Sequence, residues 1–278
     1  MISLKTHRSA ADQRVRGLGT ALITGATAGI GYRFAEELAD RGHDLILVAR
    51  DQDRLAQVAA ELAERFGVRT EVLAADLSDR DAVDRVAARI ADEADPVELL
   101  INNAGFGLKK RFEVAELADE QAQLDVLVVA VMRLSHAALR SMLAREPGSG
   151  QRGGILNVSS VAAFIDGGTY SAAKAWVNSF SRWAATEYAA AGIQVMALCP
   201  GYVRTEFHQR MGITRPGAPD FLWLEAPELV QAALDDFEAG RAVSVPSLRY
   251  KAITTAARMV PSELQRRLTR AGRRRGRR

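Results

Sequence analysis

Residues 21–31 read ALITGATAGIG. The apolar run Ala21–Thr24 predicts a buried strand. The octet Thr24-Gly25-Ala26-Thr27-Ala28-Gly29-Ile30-Gly31 predicts the turn that leaves it. Glycines let a backbone bend tightly and approach a ligand closely. The helix predicted over 29–41 directs its free N–H groups and positive dipole end back at that turn, which suits a pyrophosphate. The spacing is G-x-x-x-G-x-G. It is neither G-x-G-x-x-G nor a Walker loop, since no Lys-Ser/Thr follows. On the residues alone, the turn either cradles a ligand or only reverses the chain.

Working outward, short apolar runs alternate with amphipathic stretches. Strands are predicted at 45–49 (LILVA), 70–75 (TEVLAA), 97–102 (VELLIN), 154–159 (GILNVS), 193–198 (IQVMAL) and 241–245. Helices are predicted over 52–66, 79–93, 113–145, 169–191 and 227–239, with Gly42 and Gly67 as stops. Strands apolar on both faces and separated by helices imply a parallel sheet covered on both sides. Right-handed crossovers then make a doubly wound α/β sheet, with its ligand crevice beyond the carboxyl ends of the strands. Functional residues are therefore expected just after each strand.

After the second strand stands Arg50. An acid there would hold an adenosine ribose 2′-hydroxyl, whereas an arginine suits a 2′-phosphate, so NADP(H) is favoured over NAD(H); Asp51 and Asp53 lie close by. After the third come Asp76 and Leu77, where the carboxylate either meets an adenine amino group or caps the next helix, a role open also to Ser78 and Asp79. After the fourth comes Asn102-Asn103-Ala104-Gly105, a lining for the cofactor or a structural turn. After the fifth come Ser159 and Ser160, then Tyr170 and Lys174 in TYSAAKAW. Tyr170 and Lys174 are i and i+4 and share a helix face. A phenol ordinarily keeps its proton to about pH 10. A neighbouring ammonium is expected to lower that value and make the phenol a usable acid or base. After the sixth comes Pro200-Gly201-Tyr202-Val203-Arg204-Thr205, where Thr205 can hydrogen-bond a carboxamide or phosphate.

Taken together, TGATAGIG, NNAG, the SS…YSAAK set and PGYVRT resemble the short-chain dehydrogenase/reductase family over about residues 19–245. The resemblance implies one Rossmann-type domain with about seven parallel strands in the order 3-2-1-4-5-6-7. It also implies hydride transfer between a nicotinamide and a ketone or aldehyde/alcohol pair. By this likeness Tyr170 donates or accepts the proton, Lys174 lowers its pKa and holds the nicotinamide ribose, and Ser160 rather than Ser159 steadies the substrate oxygen. Thr24, Gly25, Thr27, Ala28, Gly29, Ile30, Gly31, Arg50, Asp76, Leu77, Asn103, Ala104, Gly105, Pro200, Gly201, Val203 and Thr205 are the matching cofactor positions, with Tyr170 and Lys174. A homodimer or homotetramer is expected, because the last two long helices often pair across subunits in the family.

Two departures stand out. Tyr170 follows Ser160 by ten residues, an interval shorter than the family's usual one. In LDVLVVAVMRL, Leu127 stands where the family carries an asparagine that holds a relay water to the lysine. Leucine has no donor or acceptor. The change is tolerated, or slows proton delivery, or marks a catalytically weak dinucleotide-binding protein.

The rest of the chain bounds the function. With 278 residues, 48% hydrophobic and 26% charged, it is long enough and apolar enough for one large core, which excludes wholesale disorder. Its single cysteine, Cys199, forms no internal disulfide, so a reducing, cytoplasmic setting is expected. No membrane-spanning segment or secretory signal is expected, and residues 1–18 are expected to be a lead-in. His7, His43, His136 and His208 show no metal-ligand spacing, and no metal is expected. Trp176, Phe180 and Trp183 recur at helical spacing, for core packing or subunit pairing.

Residues 202–226, with Phe207, Met211, Ile213, Phe221, Leu222 and Trp223, suggest a lid over a hydrophobic substrate, or an ordinary loop. Residues 247–270 predict a helical extension beyond the catalytic domain 19–246. The net charge of +3 is misleading, because residues 266–278 hold eight arginines and no acid, leaving the rest at −5. The basic end, including the tail 271–278, suits a weak contact with an anionic or membrane surface. No specific nucleic-acid partner is expected.

Overall fold

The computed structural model describes residues 19–145, 152–206 and 219–259. The predicted lead-in, most of the proposed lid (Phe207, Met211, Ile213) and the extension beyond Met259 lie outside the described residues. The element order is β1 Thr20–Thr24, α1 Gly29–Asp40, β2 Asp44–Ala49, α2 Gln52–Phe66, β3 Thr70–Ala74, α3 Arg80–Ile90, β4 Val97–Asn102, α4 Leu117–Leu124, α5 Val131–Ala144, β5 Gly153–Val158, α6 Thr169–Glu187, β6 Ile193–Leu198, β7 Tyr202–Val203, β8 Trp223–Leu224, α7 Ala226–Glu238, β9 Val243–Ser244 and α8 Leu248–Met259.

Seven strands form one parallel sheet in the order β3-β2-β1-β4-β5-β6-β9. This is the doubly wound Rossmann-type order expected from sequence, with β9 as its last strand. The order reverses on either side of β1 and β4, so the crevice opens beyond their carboxyl ends. β7 and β8 form a separate two-stranded parallel ladder, Tyr202 beside Trp223 and Val203 beside Leu224.

Alternation along each strand splits the core. Ala21, Ile23, Leu45 and Leu47 face α1, α2 and α7, packing with Phe34, Leu38, Leu62, Val230 and Phe237. Leu22, Ile46, Val48 and Leu100 face the other side, packing with Val86, Ile90, Leu134, Ala138 and Met142. Asp51 and Asp79 cap α2 and α3, accepting from the amides of Arg54 and Asp81. Asp79, not Asp76, is therefore the cap of α3.

Two expectations are corrected here. The helical run Leu117–Ala144 is long and apolar enough to cross a membrane by length and composition, contrary to the expectation that no segment is; half of its apolar window is buried in the molecule. Its apolarity serves the core, through Val126, Leu127, Ala130, Leu134, Ala138 and Met142. The aromatic stripe of α6 is not core. Trp176 stacks on Phe180 at 5.1 Å, and Trp183, tilted against Phe180, is 52% exposed. All three lie to one side of the fully buried Val177, Ser181 and Ala184, with Trp176 and Phe180 partly buried.

Candidate active site

The glycine turn is locked from below by the strand beside it. Thr24 Oγ1 accepts from the amides of Asn103 at 2.9 Å and Ala104 at 3.0 Å, while Asn103 Nδ2 donates to the Thr24 carbonyl at 2.8 Å. A Cβ on Gly31 would stand 2.2 Å from the Gly25 carbonyl oxygen, and Gly25 has φ +69°. No side chain can replace either without moving the turn. Thr24, Asn103 and Gly31 thus shape the cradle, and Thr24 is buried beneath it rather than facing the cleft.

Above the turn lies a cleft of about 500 Å³. Gly25, Ala28, Gly29, Ile30, Asn103, Ala104 and Gly105 form its floor, and Pro200, Gly201, Val203 and Thr205 one flank. Ser160, Tyr170 and Lys174 also line it. Unlike α2 and α3, α1 has no side-chain cap, with Ala28 at its N-cap, and no acid in its first turn. Its amides and positive dipole end therefore reach the cleft with no carboxylate of its own cap or first turn to compete, which fits the pyrophosphate of a dinucleotide.

Thr27, Arg50, Asp76 and Leu77 do not line this cleft. Arg50 and Asp76 are exposed at the carboxyl ends of β2 and β3, and Leu77 is buried. Burial acts against the Asp76 carboxylate, but the amide and hydroxyl of Ser78 and the charge of Arg50 together hold its pKa below the ordinary value. Asp51, which stands beside Arg50 in sequence, is committed to its cap.

The polar trio is positioned by the end of β5. Ser159 turns inward, and its Oγ donates to the Lys174 carbonyl at 2.9 Å. Ser160 turns outward, accepts from the Ala162 amide at 3.1 Å and hydrogen-bonds the Tyr170 phenol. The short interval between Ser160 and Tyr170 is spanned by a 3-10 turn, Val161–Phe164, followed by Gly167 and Gly168. The two hydroxyls still meet. Lys174 Nζ donates to the Val158 carbonyl at 2.7 Å and lies 5.8 Å from the centroid of the Tyr170 ring.

One electrostatic expectation is corrected. Burial pushes the Tyr170 phenol up to about 12, opposed only by its Ser160 hydrogen bond. Burial likewise pulls the Lys174 ammonium down to about 8. Desolvation dominates both groups, and the Lys174 ammonium spends its hydrogen bond on the backbone.

Leu127 lies in a π-helical segment, Asp125–Ala130, between α4 and α5. It is wholly buried. A Cβ on Gly105 would stand 2.8 Å from Leu127 Cδ2 and 3.8 Å from Lys174 Nζ, so the leucine sits beside the lysine. A wide helical turn of this kind recurs at functional sites.

Sequence reasoning missed several lining residues: Val161, Ala162, Ile165, Glu206, Tyr250 and Ile253. None belongs to a motif. Tyr250 and Ile253 come from α8, which no local signal ties to the cleft.

The short chain dehydrogenase family model matches residues 19–215. Similar proteins include the very-long-chain 3-oxoacyl-CoA reductase of Anas platyrhynchos, 37% identical over 199 residues, covering 68% of this chain and 62% of that one. The match thus spans less than two thirds of that reductase. Sulfoacetaldehyde reductase 2 of Chromohalobacter salexigens is 35% identical over 67% of this chain and 73% of that protein. Among solved structures, a Sphingobium yanoikuyae short-chain dehydrogenase in complex with NADPH superposes with TM-score 0.78 at 36% identity, covering 86% of this chain and 93% of that one. A bulky-bulky ketone specific alcohol dehydrogenase from Comamonas testosteroni superposes with TM-score 0.73 at 30% identity, covering 88% and 95%.

Proposed function

We propose, on the premise that the chain belongs to the short-chain dehydrogenase family, that it is an NADP(H)-dependent oxidoreductase interconverting a ketone or aldehyde and an alcohol on a hydrophobic substrate. The observation that carries this reading is the convergence of Ser160, Tyr170 and Lys174 on a cleft floored by the uncapped start of α1. When bound, the nicotinamide supplies or accepts the hydride.

The chain's own residues do the rest. The amides of Ala28–Ile30 hold the pyrophosphate, and Arg50 attracts the 2′-phosphate. The hydroxyls of Ser160 and Tyr170 lie within hydrogen-bond reach of each other, so a substrate oxygen that displaces their mutual bond can accept a hydrogen bond from each. A phenol held near 12 keeps its proton through the neutral range, so Tyr170 suits donation to the oxygen of a carbonyl being reduced. The charge of Lys174, fixed against Val158, lies on the same side of the cleft and favours the phenolate left behind. Ile165, Tyr202, Leu222 and Ile253 give the substrate end an apolar lining.

Support for NADP(H) comes from Arg50 and from the NADPH-bound relative. The test is fluorescence titration with NADPH and NADH, followed by NADPH oxidation against a panel of ketones. Tighter NADPH binding with turnover sustains the reading; equal affinities refute the cofactor preference.

A second reading is a catalytically weak dinucleotide-binding protein. It is favoured by one observation, the apolar Leu127 that borders Gly105 together with Lys174. Binding of NADPH without turnover of any ketone in the panel would establish it. We also assign a cytoplasmic location, resting on the single buried Cys199, and a homodimer or homotetramer through the outer faces of α4–α6. That assignment rests on exposed Leu124, Met132 and Trp183. The arginine-rich end is assigned a weak, salt-sensitive contact with anionic surfaces.

A further inference from the structure

The family match ends at residue 215, yet α8, well beyond it, contributes to the cleft. Tyr250 of α8 is 4% exposed. The phenol end of its ring lies against Gly201, where a Cβ would stand 1.9 Å from Tyr250 Cζ. Only glycine at 201 admits that ring. The phenol oxygen accepts from the Tyr202 amide at 3.0 Å and donates to the Leu222 carbonyl at 2.7 Å. One hydroxyl thereby joins two segments that are 20 residues apart and are themselves paired through β7 and β8. The Arg204 amide adds a bond to the Leu224 carbonyl at 3.0 Å, and Arg249 donates to the Phe221 carbonyl. One turn further along α8, Ile253 lines the cleft, as do Tyr202 and Leu222.

We propose that Tyr250 is a positioning residue for the substrate side of the cleft, and that with Ile253 it makes α8 the wall that sets which carbonyl compounds enter. The argument is one of chemistry and place. A hydroxyl that both donates and accepts is fully used, so its loss leaves the Tyr202 amide and the Leu222 carbonyl without that partner. Both residues line the cleft at its apolar end. Ser160, Tyr170 and Lys174 are carried by β5 and α6, and none of their hydrogen bonds described above is to α8, which packs on the 3-10 turn between Ser160 and Tyr170. The wall therefore bears on substrate fit and leaves the proton donor in place. This inference rests on the carbonyl-reduction reading for its substrate; the Tyr250 strut itself stands on the hydrogen bonds alone.

The experiment uses the full chain with NADPH, cyclohexanone as a compact probe and benzophenone as a bulky one. In Tyr250→Phe, the KM for benzophenone is expected to rise about tenfold while kcat stays within about twofold, the loss being one of uniform binding. The KM for cyclohexanone and the NADPH affinity stay unchanged. Hydrogen exchange at the Tyr202 and Arg204 amides is expected to quicken about tenfold. Ile253→Ala is expected to alter the benzophenone-to-cyclohexanone ratio without changing that exchange. Unchanged exchange together with an unchanged ratio in Tyr250→Phe overturns the proposal. If the unaltered protein reduces neither probe, the carbonyl-reduction reading fails, and exchange at Tyr202 alone decides whether Tyr250 holds the two segments.

Discussion

Lys174 Nζ donates to the carbonyl oxygen of Val158 at 2.7 Å, tying the helix that carries Tyr170 to the end of the strand that carries Ser160. The tie is closed by Ser159, whose hydroxyl donates to the Lys174 carbonyl. A buried ammonium with a single backbone acceptor is costly to keep charged, which is why its pKa falls to about 8 from the ordinary 10.5.

That shift makes a pH prediction. Between about pH 8 and 10.5 the unfolded chain keeps the Lys174 proton and the folded one has lost it, so unfolded molecules bind more protons. Stability then rises with pH across this window, and the penalty is fully present below it. Urea melts at pH 7.5 and 9.5 should show the wild type gaining on the order of 2 kcal/mol relative to Lys174→Met. An unchanged difference between the two proteins would mean that Lys174 titrates normally.

The two serines should separate cleanly. Ser160→Ala removes the donor bonded to Tyr170 and is expected to lower kcat/KM about a hundredfold with little effect on melting. Ser159→Ala removes a buried bond to the helix backbone. It is expected to cost about 1 kcal/mol of stability with a smaller effect on turnover. Steady-state kinetics beside thermal melts of both variants checks the assignment, and a reversed pattern sinks it.

Leu127→Asn should restore a polar group beside Lys174. Turnover with an accepted ketone is expected to rise about tenfold if proton delivery is limiting. Placing an amide in a wholly buried apolar site is expected to cost about 2–4 kcal/mol of stability. Turnover equal to wild type would show that Leu127 does not impair the relay.

Arg50→Glu should exchange attraction for repulsion at the 2′-phosphate. The NADPH dissociation constant is expected to rise about 10- to 100-fold, with NADH affected far less, since only NADPH carries that phosphate. Equal losses for both cofactors would place Arg50 elsewhere in the chemistry.

A chain ending at residue 265 lacks the eight-arginine run. It should lose sedimentation with anionic vesicles in low salt while keeping its turnover, because that contact is electrostatic and screened. Undiminished vesicle binding would move the contact to another surface.

How much of this was legible in the sequence follows from the range of each interaction. The strand order and the role of Ser160 came with the family resemblance, whereas the strands themselves, the glycine turn and the shared helix face of Tyr170 and Lys174 rest on local patterns: alternation along a strand, a turn that only glycine makes, and i, i+4 spacing on one helix. Such patterns act within a few residues, so they are written in the chain. Leu127 is singled out by the family resemblance, and its nearness to the lysine is a tertiary fact. Desolvation is not local. Whether Tyr170 is lowered by Lys174 or raised by burial depends on what packs around both, and that balance went against the sequence-based expectation. The aromatic stripe of α6 and the apolar helix Leu117–Ala144 show the same limit, since a helical period says which residues share a face and not what covers it. Tyr250 is the extreme case. No motif surrounds it, and its partners Gly201, Tyr202 and Leu222 lie 28 to 49 residues away. The sequence by itself determined the fold class, and it named the glycine turn and the trio Ser160, Tyr170 and Lys174 that the structure brings to one cleft. The proton balance of Tyr170 and Lys174 and the reach of α8 to the cleft were decided only by tertiary structure, because burial and long-range hydrogen bonds exist only once distant segments have been brought together.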